Sequence, residues 1–424
     1  MAAYAAPAFA GIAQRPPVDR EQRPSIDRDR PALGDPQREG QRAERTLNER
    51  FADLRRHFVF EYYPWYAASP YIHWNQDGRV PPIDVASNYM PLLGPYDSRD
   101  TRVIEQHAKW IADVGVGAIN VSWWGPGDFT DRVVPTLMDV MADHDIHVTF
   151  HLEPYTNARA FNYARDIQYL ITQYGDRRHW DCFLLVQHAD GTVGPVFKSF
   201  ATIVPPTSTD CRGVVSNIPI YAPTDVWRRQ TDTVRQTFVR AFDRITLLAD
   251  SLAVDTTRAA GFDGIAIYDN YVEPDSWTAH ANGSSSRDLV FSFNTNPGFD
   301  GLTNRDPNPG PCFSPQTFEP GRVVYDWTRP GAREAAATLA EARIRESFRT
   351  TLRLQLDPHL ANVKHGFFLT YINSFNEWHE GHQFEPMKSA SALSPQERAI
   401  AYHNPEDGMY RLRALQRLLG ELDL

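Results

Sequence analysis

From Phe58 onward the chain alternates short apolar runs with amphipathic stretches. Eight runs have the length and the β-branched or aromatic content of buried strands: 58–63 (FVFEYY), 117–124 (GAINVSWW), 146–153 (IHVTFHLE), 195–201 (PVFKSFA), 214–221 (VVSNIPIY), 263–269 (DGIAIYD), 288–294 (DLVFSFN) and 366–373 (GFFLTYIN). Eight strands interleaved with helices is the count a closed (β/α)8 barrel of the TIM type needs, so the expected fold class is α/β. Residues 100–113 place Val103, Ile104, His107, Ala108 and Ile111 at helical spacing, and 333–355 reads as a helix ending before Pro358. Segments 270–287 and 294–330 are rich in Gly, Pro and Asn and read as long βα loops. The run 182–197 carries an Ala-Asp-Gly turn between apolar flanks, the pattern of a hairpin.

Residues 14–48 are crowded with Pro, Arg, Asp and Glu, and bury too little apolar surface to offset the entropy of ordering. The expected organisation is a disordered leader over 1–48 followed by one domain over 49–424. The opening MAAYAAPAFAGIAQ lacks the basic region of a secretory signal, which leaves localisation open.

The length of 424 residues suits one barrel with insertions, and 42% hydrophobic with 23% charged residues excludes collagen-like, fully disordered and coiled-coil chains. Net charge is −10 and the basic residues are scattered, so nucleic acid is not an expected partner. Only Lys109, Lys198, Lys364 and Lys388 are lysines, and no chemistry is drawn from them. Cys182, Cys211 and Cys312 are widely spaced, which suits neither a disulfide framework nor a zinc site. No apolar run reaches the roughly 18 residues that span a bilayer. No cofactor or metal is expected, and the chain is read as a monomer.

Polar and aromatic side chains collect at the strands' C-terminal ends, the rim where barrels build active sites. Tyr63, Trp65 and Tyr66 follow the first strand, Trp123 and Trp124 the second, Glu153 and Tyr155 the third, and Tyr268 and Asp269 a later one. Any single ring is most simply core, but the shared position suits a carbohydrate, which offers C–H faces to rings and hydroxyls to polar groups. SFNEWHEGHQFEP at 374–386 sets Glu377 and Glu380 three residues apart after an apolar strand, and paired carboxylates supply the acid and base of acetal cleavage. A solvated helix face is the plainer alternative; the interleaved Trp378 and His379 and the following Gly381 weaken it. Glu153 has either a chemical role or a structural one paired with Arg159, and hydrogen-bonding roles are expected for His151 and His379.

The stretches YYPWY and YIHWN (62–66, 71–75), PPIDVASNYMPLLGPYDSRD (81–100), VSWWGPG (121–127), HLEPY (151–155), GFDG (261–264) and FNEWHEGHQFEP (375–386) resemble glycoside hydrolase family 99. That family contains endo-α-1,2-mannosidases, retaining enzymes on a (β/α)8 barrel. The resemblance runs in order from about Phe58 to the C-terminus. It implies Glu380 as general acid/base and Glu377 as the base that deprotonates the sugar's own 2-hydroxyl, giving a 1,2-anhydro sugar. It implies a substrate-lining role for Tyr62, Tyr63, His73, Trp123, Trp124, Glu153, Tyr155, Arg159, Tyr268 and Arg305, with Phe299 also aligned. The implied partner is an α-mannose-containing oligosaccharide or polysaccharide cleaved internally. The alternative is a non-hydrolytic polysaccharide-biosynthesis or carbohydrate-binding protein on a related barrel.

Departures from the family pattern fall around that centre. PVFKSFATIVP (195–205) stands where a Tyr-Asp-Ser-Tyr strand end is usual, and the GFDG strand continues as IAIYDNYVEPD in place of a Tyr-Thr-Tyr-Phe element. The Cys312 loop and the 182–197 hairpin have no obvious counterpart.

Overall fold

The computed structural model describes Leu47 and residues 49–176, 180–305, 312, 317–329 and 331–422. Eight parallel strands form its centre: β1 (Phe58–Tyr62), β2 (Ala118–Trp123), β3 (His147–Leu152), β4 (Val193–Ser199), β5 (Thr246–Ala249), β6 (Gly264–Ala266), β7 (Val290–Ser292) and β8 (Thr370–Ile372). Their spatial order is β7-β6-β5-β4-β3-β2-β1-β8, so each strand but the last lies beside its predecessor in the chain. A bridge from Thr295, just past β7, to Ile372 in β8 draws the two edges together. The result is the expected (β/α)8 barrel.

The count of eight stands, but one member differs. Residues 214–221 are not a barrel strand: Val215–Asn217 pairs antiparallel with Thr207–Thr209 in a small hairpin, and Val214 and Val215 are exposed. The barrel strand is β5, whose four residues TLLA are all buried. A four-residue run gives little periodic signal, whereas VVSNIPIY is apolar enough to mimic a core strand. The 182–197 hairpin does form, as Leu185–Gln187 pairs antiparallel with the start of β4. The segment 270–287, read as loop, contains a helix at Trp277–Ser285.

Side chains in a strand point alternately to opposite faces. Val59, Ala118, Val196, Leu248, Ala266, Val290, Leu369 and Tyr371 pack together inside the barrel. Their alternates Phe58, Phe60, Ile119, Val121, Val148, Phe150, Phe197 and Leu247 pack outward under the helices. Those helices include α1 (Thr101–Val114), α2 (Phe129–Asp143), α3 (Arg159–Leu170), α4 (Thr224–Phe238), α5 (Val254–Ala259), α6 (Trp277–Ser285), α7 (Ala332–Gln355) and α8 (Tyr410–Gly420). α1 buries Ile104, His107, Ala108, Ile111 and Val114, starts under the side-chain cap of Asp100 and stops at left-handed Gly115. No helix among the described residues is long and apolar enough to cross a membrane.

The leader expected over 1–48 lies outside the described residues except for Leu47, which is fully buried in the same cluster as Phe51 and Leu54. The cysteine reading is corrected: Cys211 and Cys312 form a disulfide, and Cys182 is buried. The bond joins the loop after β4 to the loop after β7, and such an approach between loops leaves no trace in linear spacing. Alkylating the denatured, unreduced protein is expected to label Cys182 alone, with two further labels after reduction; three labels before reduction would contradict the disulfide.

Candidate active site

The segment after β8 crosses the seam of the barrel and is fastened to β1. The Asn376 carboxamide accepts from Tyr63 N at 2.7 Å and donates to Tyr63 O at 3.0 Å, while Phe375 N donates to Glu61 O at 2.7 Å. Trp378, fully buried, donates from Nε1 to Glu385 at 2.9 Å, and its backbone N–H donates to Tyr66 Oη at 3.1 Å. Gly381 closes the turn: its φ is +67°, and a β-carbon there would sit 2.1 Å from Asp300 O. These anchors hold Glu377 and Glu380 over the mouth of the barrel.

The two carboxylates have different surroundings. Glu377 is 3% exposed and accepts from His379 N at 2.9 Å, whereas Glu380 is 37% exposed and takes hydrogen bonds from His382 Nε2 at 2.7 Å and Tyr268 Oη at 2.8 Å. Ser374 links the pair, accepting from Glu377 N at 2.8 Å and lying 3.0 Å from His382 Nδ1. Burial and the neighbouring charge of Glu380 push the Glu377 carboxyl well above the usual range. Burial also raises Glu380, but the His382 and Tyr268 hydrogen bonds outweigh it and hold Glu380 below that range. The two carboxyls are therefore shifted in opposite directions, Glu377 up and Glu380 down.

Strand alternation decides which other candidates join them. Tyr63, Trp124, Glu153 and Tyr268 lie in inward register. Tyr63 and Glu153 sit in the field of Glu377, and Ser122 Oγ donates to Glu153 at 2.8 Å while receiving Trp124 Nε1 at 3.1 Å. His73 stacks on Trp65 at 4.6 Å, and its carbonyl lies 3.0 Å from His379 Nε2. Burial lowers His73 to about 3 and His379 to about 4, so both are neutral near pH 7.

Tyr62 and Trp123, the alternates of Tyr63 and Trp124, face the helices: Tyr62 Oη lies 2.9 Å from His107 Nδ1, and Trp123 Nε1 donates to Asp131 at 2.7 Å. Tyr155 turns to Asp166 at 2.7 Å. Arg159 donates to the carbonyls of Phe200 and Ala201, so the expected Glu153–Arg159 ion pair is absent, although its charge still tempers Glu153. Arg305 pairs with Asp84 and touches neither glutamate. Ser374 and His382 were missed, although both lie in the motif; their role appears only when the turn brings them under the glutamates.

The glycosyl hydrolase family 99 model matches residues 50–184. Glycoprotein endo-alpha-1,2-mannosidase of Mus musculus is 28% identical over 365 residues, covering 78% of this chain and 69% of the relative. The Xenopus laevis protein of the same name is 27% identical over 358 residues, covering 78% and 70%. The chain is thus similar to glycoside hydrolases of family 99. Its fold also matches the solved GH99 endo-alpha-mannosidase from Bacteroides thetaiotaomicron, with a TM-score of 0.59 and 20% identity over 87% of this chain and 98% of that one.

Beneath the mouth, the barrel carries a buried ion pair. Lys198 Nζ lies 2.6 Å from Glu61 Oε1, with His151 Nδ1 3.2 Å from the other oxygen and Asn120 Nδ2 donating to it at 2.8 Å. Lys198 also sits 4.5 Å from the centre of the Tyr371 ring. Burial alone would raise Glu61, yet Lys198 and His151 prevail and bring it from 4.5 to about 2. The stability that this shift contributes is complete above pH 4.5 and is lost as pH falls through about 2. Lys198→Met, which strands the carboxylate, is expected to cost about 3–5 kcal/mol in chemical denaturation at neutral pH. Glu61→Leu combined with Lys198→Met should restore most of it; a double variant as unstable as the single one would refute the pairing.

Proposed function

We propose that the protein is a retaining, endo-acting hydrolase of internal α-mannosidic linkages in a glycan, working through a 1,2-anhydro sugar. The observation that carries this reading is the unequal pair: a buried Glu377 and a solvent-reaching Glu380 on one turn. The names of the curated relatives supply the mannoside. The motif resemblance supplies the roles.

In the first step the Glu377 carboxylate takes the proton from O2 and O2 attacks C1. The bond from C1 to the leaving oxygen breaks, and that oxygen takes its proton from Glu380. In an α-mannoside O2 is axial and anti to the axial leaving group, so rear attack needs no carboxylate on that face. In the second step Glu380 takes a proton from water, the water oxygen attacks C1, the C1–O2 bond opens and Glu377 returns its proton to O2. Two displacements at C1 retain configuration.

In the free protein the two shifts run opposite to what the first step requires. Substrate supplies the reversal: a 2-hydroxyl donating to Glu377 favours its carboxylate, and a leaving oxygen beside Glu380 favours its acid form. The upward shift of Glu377 and the downward shift of Glu380 favour a second reading in which Glu377 is the acid and Glu380 the base. Glu→Gln variants separate them. Under the first reading Glu380→Gln lowers kcat on an unactivated glycan by about a hundredfold or more and recovers partly on a glycosyl fluoride, whose leaving group needs no proton. Glu377→Gln recovers on neither. Recovery of Glu377→Gln instead would exchange the two roles.

A 2-fluoro substrate lacks the internal nucleophile and is expected neither to turn over nor to modify the protein. An intact-mass gain mapping to the Glu377 peptide would replace O2 participation with direct carboxylate attack.

A further inference from the structure

Tyr63 and Tyr66, both almost fully buried, lie in the field of Glu377. Asp269 and Tyr271 are exposed and lie in the field of Glu380. These two residues come from IAIYDNYVEPD, where the chain departs from the family pattern, and the first reading of the mechanism does not use them.

Their placement is fixed on three sides. Tyr268 donates to Glu380 at 2.8 Å while its N–H is held by Asp250 at 3.0 Å, so the next residue emerges beside the acid. Tyr271 N donates to one Asp269 carboxylate oxygen at 2.7 Å; the other has no hydrogen-bond partner among the described residues. The Tyr271 ring lies 4.5 Å from that of Phe299, whose loop is tied to the glutamate segment through Asp300 N to Glu380 O at 3.0 Å and Leu302 N to His379 O at 2.7 Å. A hydroxyl acceptor and an exposed aromatic face therefore stand together at the edge of Glu380.

We infer that Asp269 and Tyr271 form the subsite for the sugar that departs. This rests on the assignment of Glu380 as the acid that protonates the leaving oxygen, since the space beyond it, away from Glu377, is then where that sugar sits. Asp269 accepts hydroxyls of a neutral pyranose, and Tyr271 covers one of its C–H faces. With Asp250 and Glu380 close by, the same carboxylate repels a leaving sugar that carries a phosphate or a carboxylate.

Two substrates with one glycone test this: an oligosaccharide whose leaving group is an α-linked mannose, and the corresponding glycosyl fluoride, which places no sugar in the subsite. The quantity to read is kcat/KM for the oligosaccharide divided by that for the fluoride. Asp269→Asn and Tyr271→Ala should each lower this ratio by about fivefold or more, and fluoride turnover shows that each variant is folded. A smaller change in the ratio for both variants overturns the subsite while leaving the hydrolase standing. A wild-type protein that turns over neither substrate overturns the hydrolase reading, and the subsite with it.

Discussion

The site depends on how the barrel is closed. β1 and β8 are neighbours in the sheet although most of the chain lies between them, and the Asn376 carboxamide clasps both polar backbone atoms of Tyr63 just beyond that pairing. The clasp fixes the path of the next four residues, and with it the height of Glu377 and Glu380 over the mouth. Trp378 acts as a second anchor because its indole reaches the buried Glu385, which also binds Tyr96 at 2.7 Å and His107 at 3.1 Å. Side chains set on so firmly tied a turn would need little reorganisation on binding a ligand.

The same closure sets the electrostatics. The Glu377 carboxyl beneath the turn is shielded and pushed up, while Glu380 at its outer edge gains a histidine, a tyrosine and solvent. Three residues of separation thus give the two carboxyls different surroundings. Ser374 supports both, through the backbone of Glu377 and the ring of His382.

Much of this was legible in the sequence. The barrel came from the apolar runs, and the glutamates from their place after the last of them. Strand parity was equally available but unused: Tyr62 and Tyr63, or Trp123 and Trp124, cannot both face the cleft, because neighbours in a strand face opposite ways. Glu61 and Lys198 were visible as lone charges in FVFEYY and PVFKSFA, yet only three-dimensional register shows that they meet. The small hairpin over 207–217 and the Cys211–Cys312 bond were out of reach, since both depend on where long loops travel. β5 was too short to be told from its flanks.

The buried pair of Glu61 and Lys198 also constrains how such a protein changes over generations. Losing either partner leaves the other charged in a space that excludes water, so each single step leads downhill in stability. An apolar or oppositely arranged barrel floor is separated from this one by a valley that two changes must cross together. Lineages that share the glutamate turn can therefore remain on either side of it for long periods, with different floors beneath the same catalytic mouth.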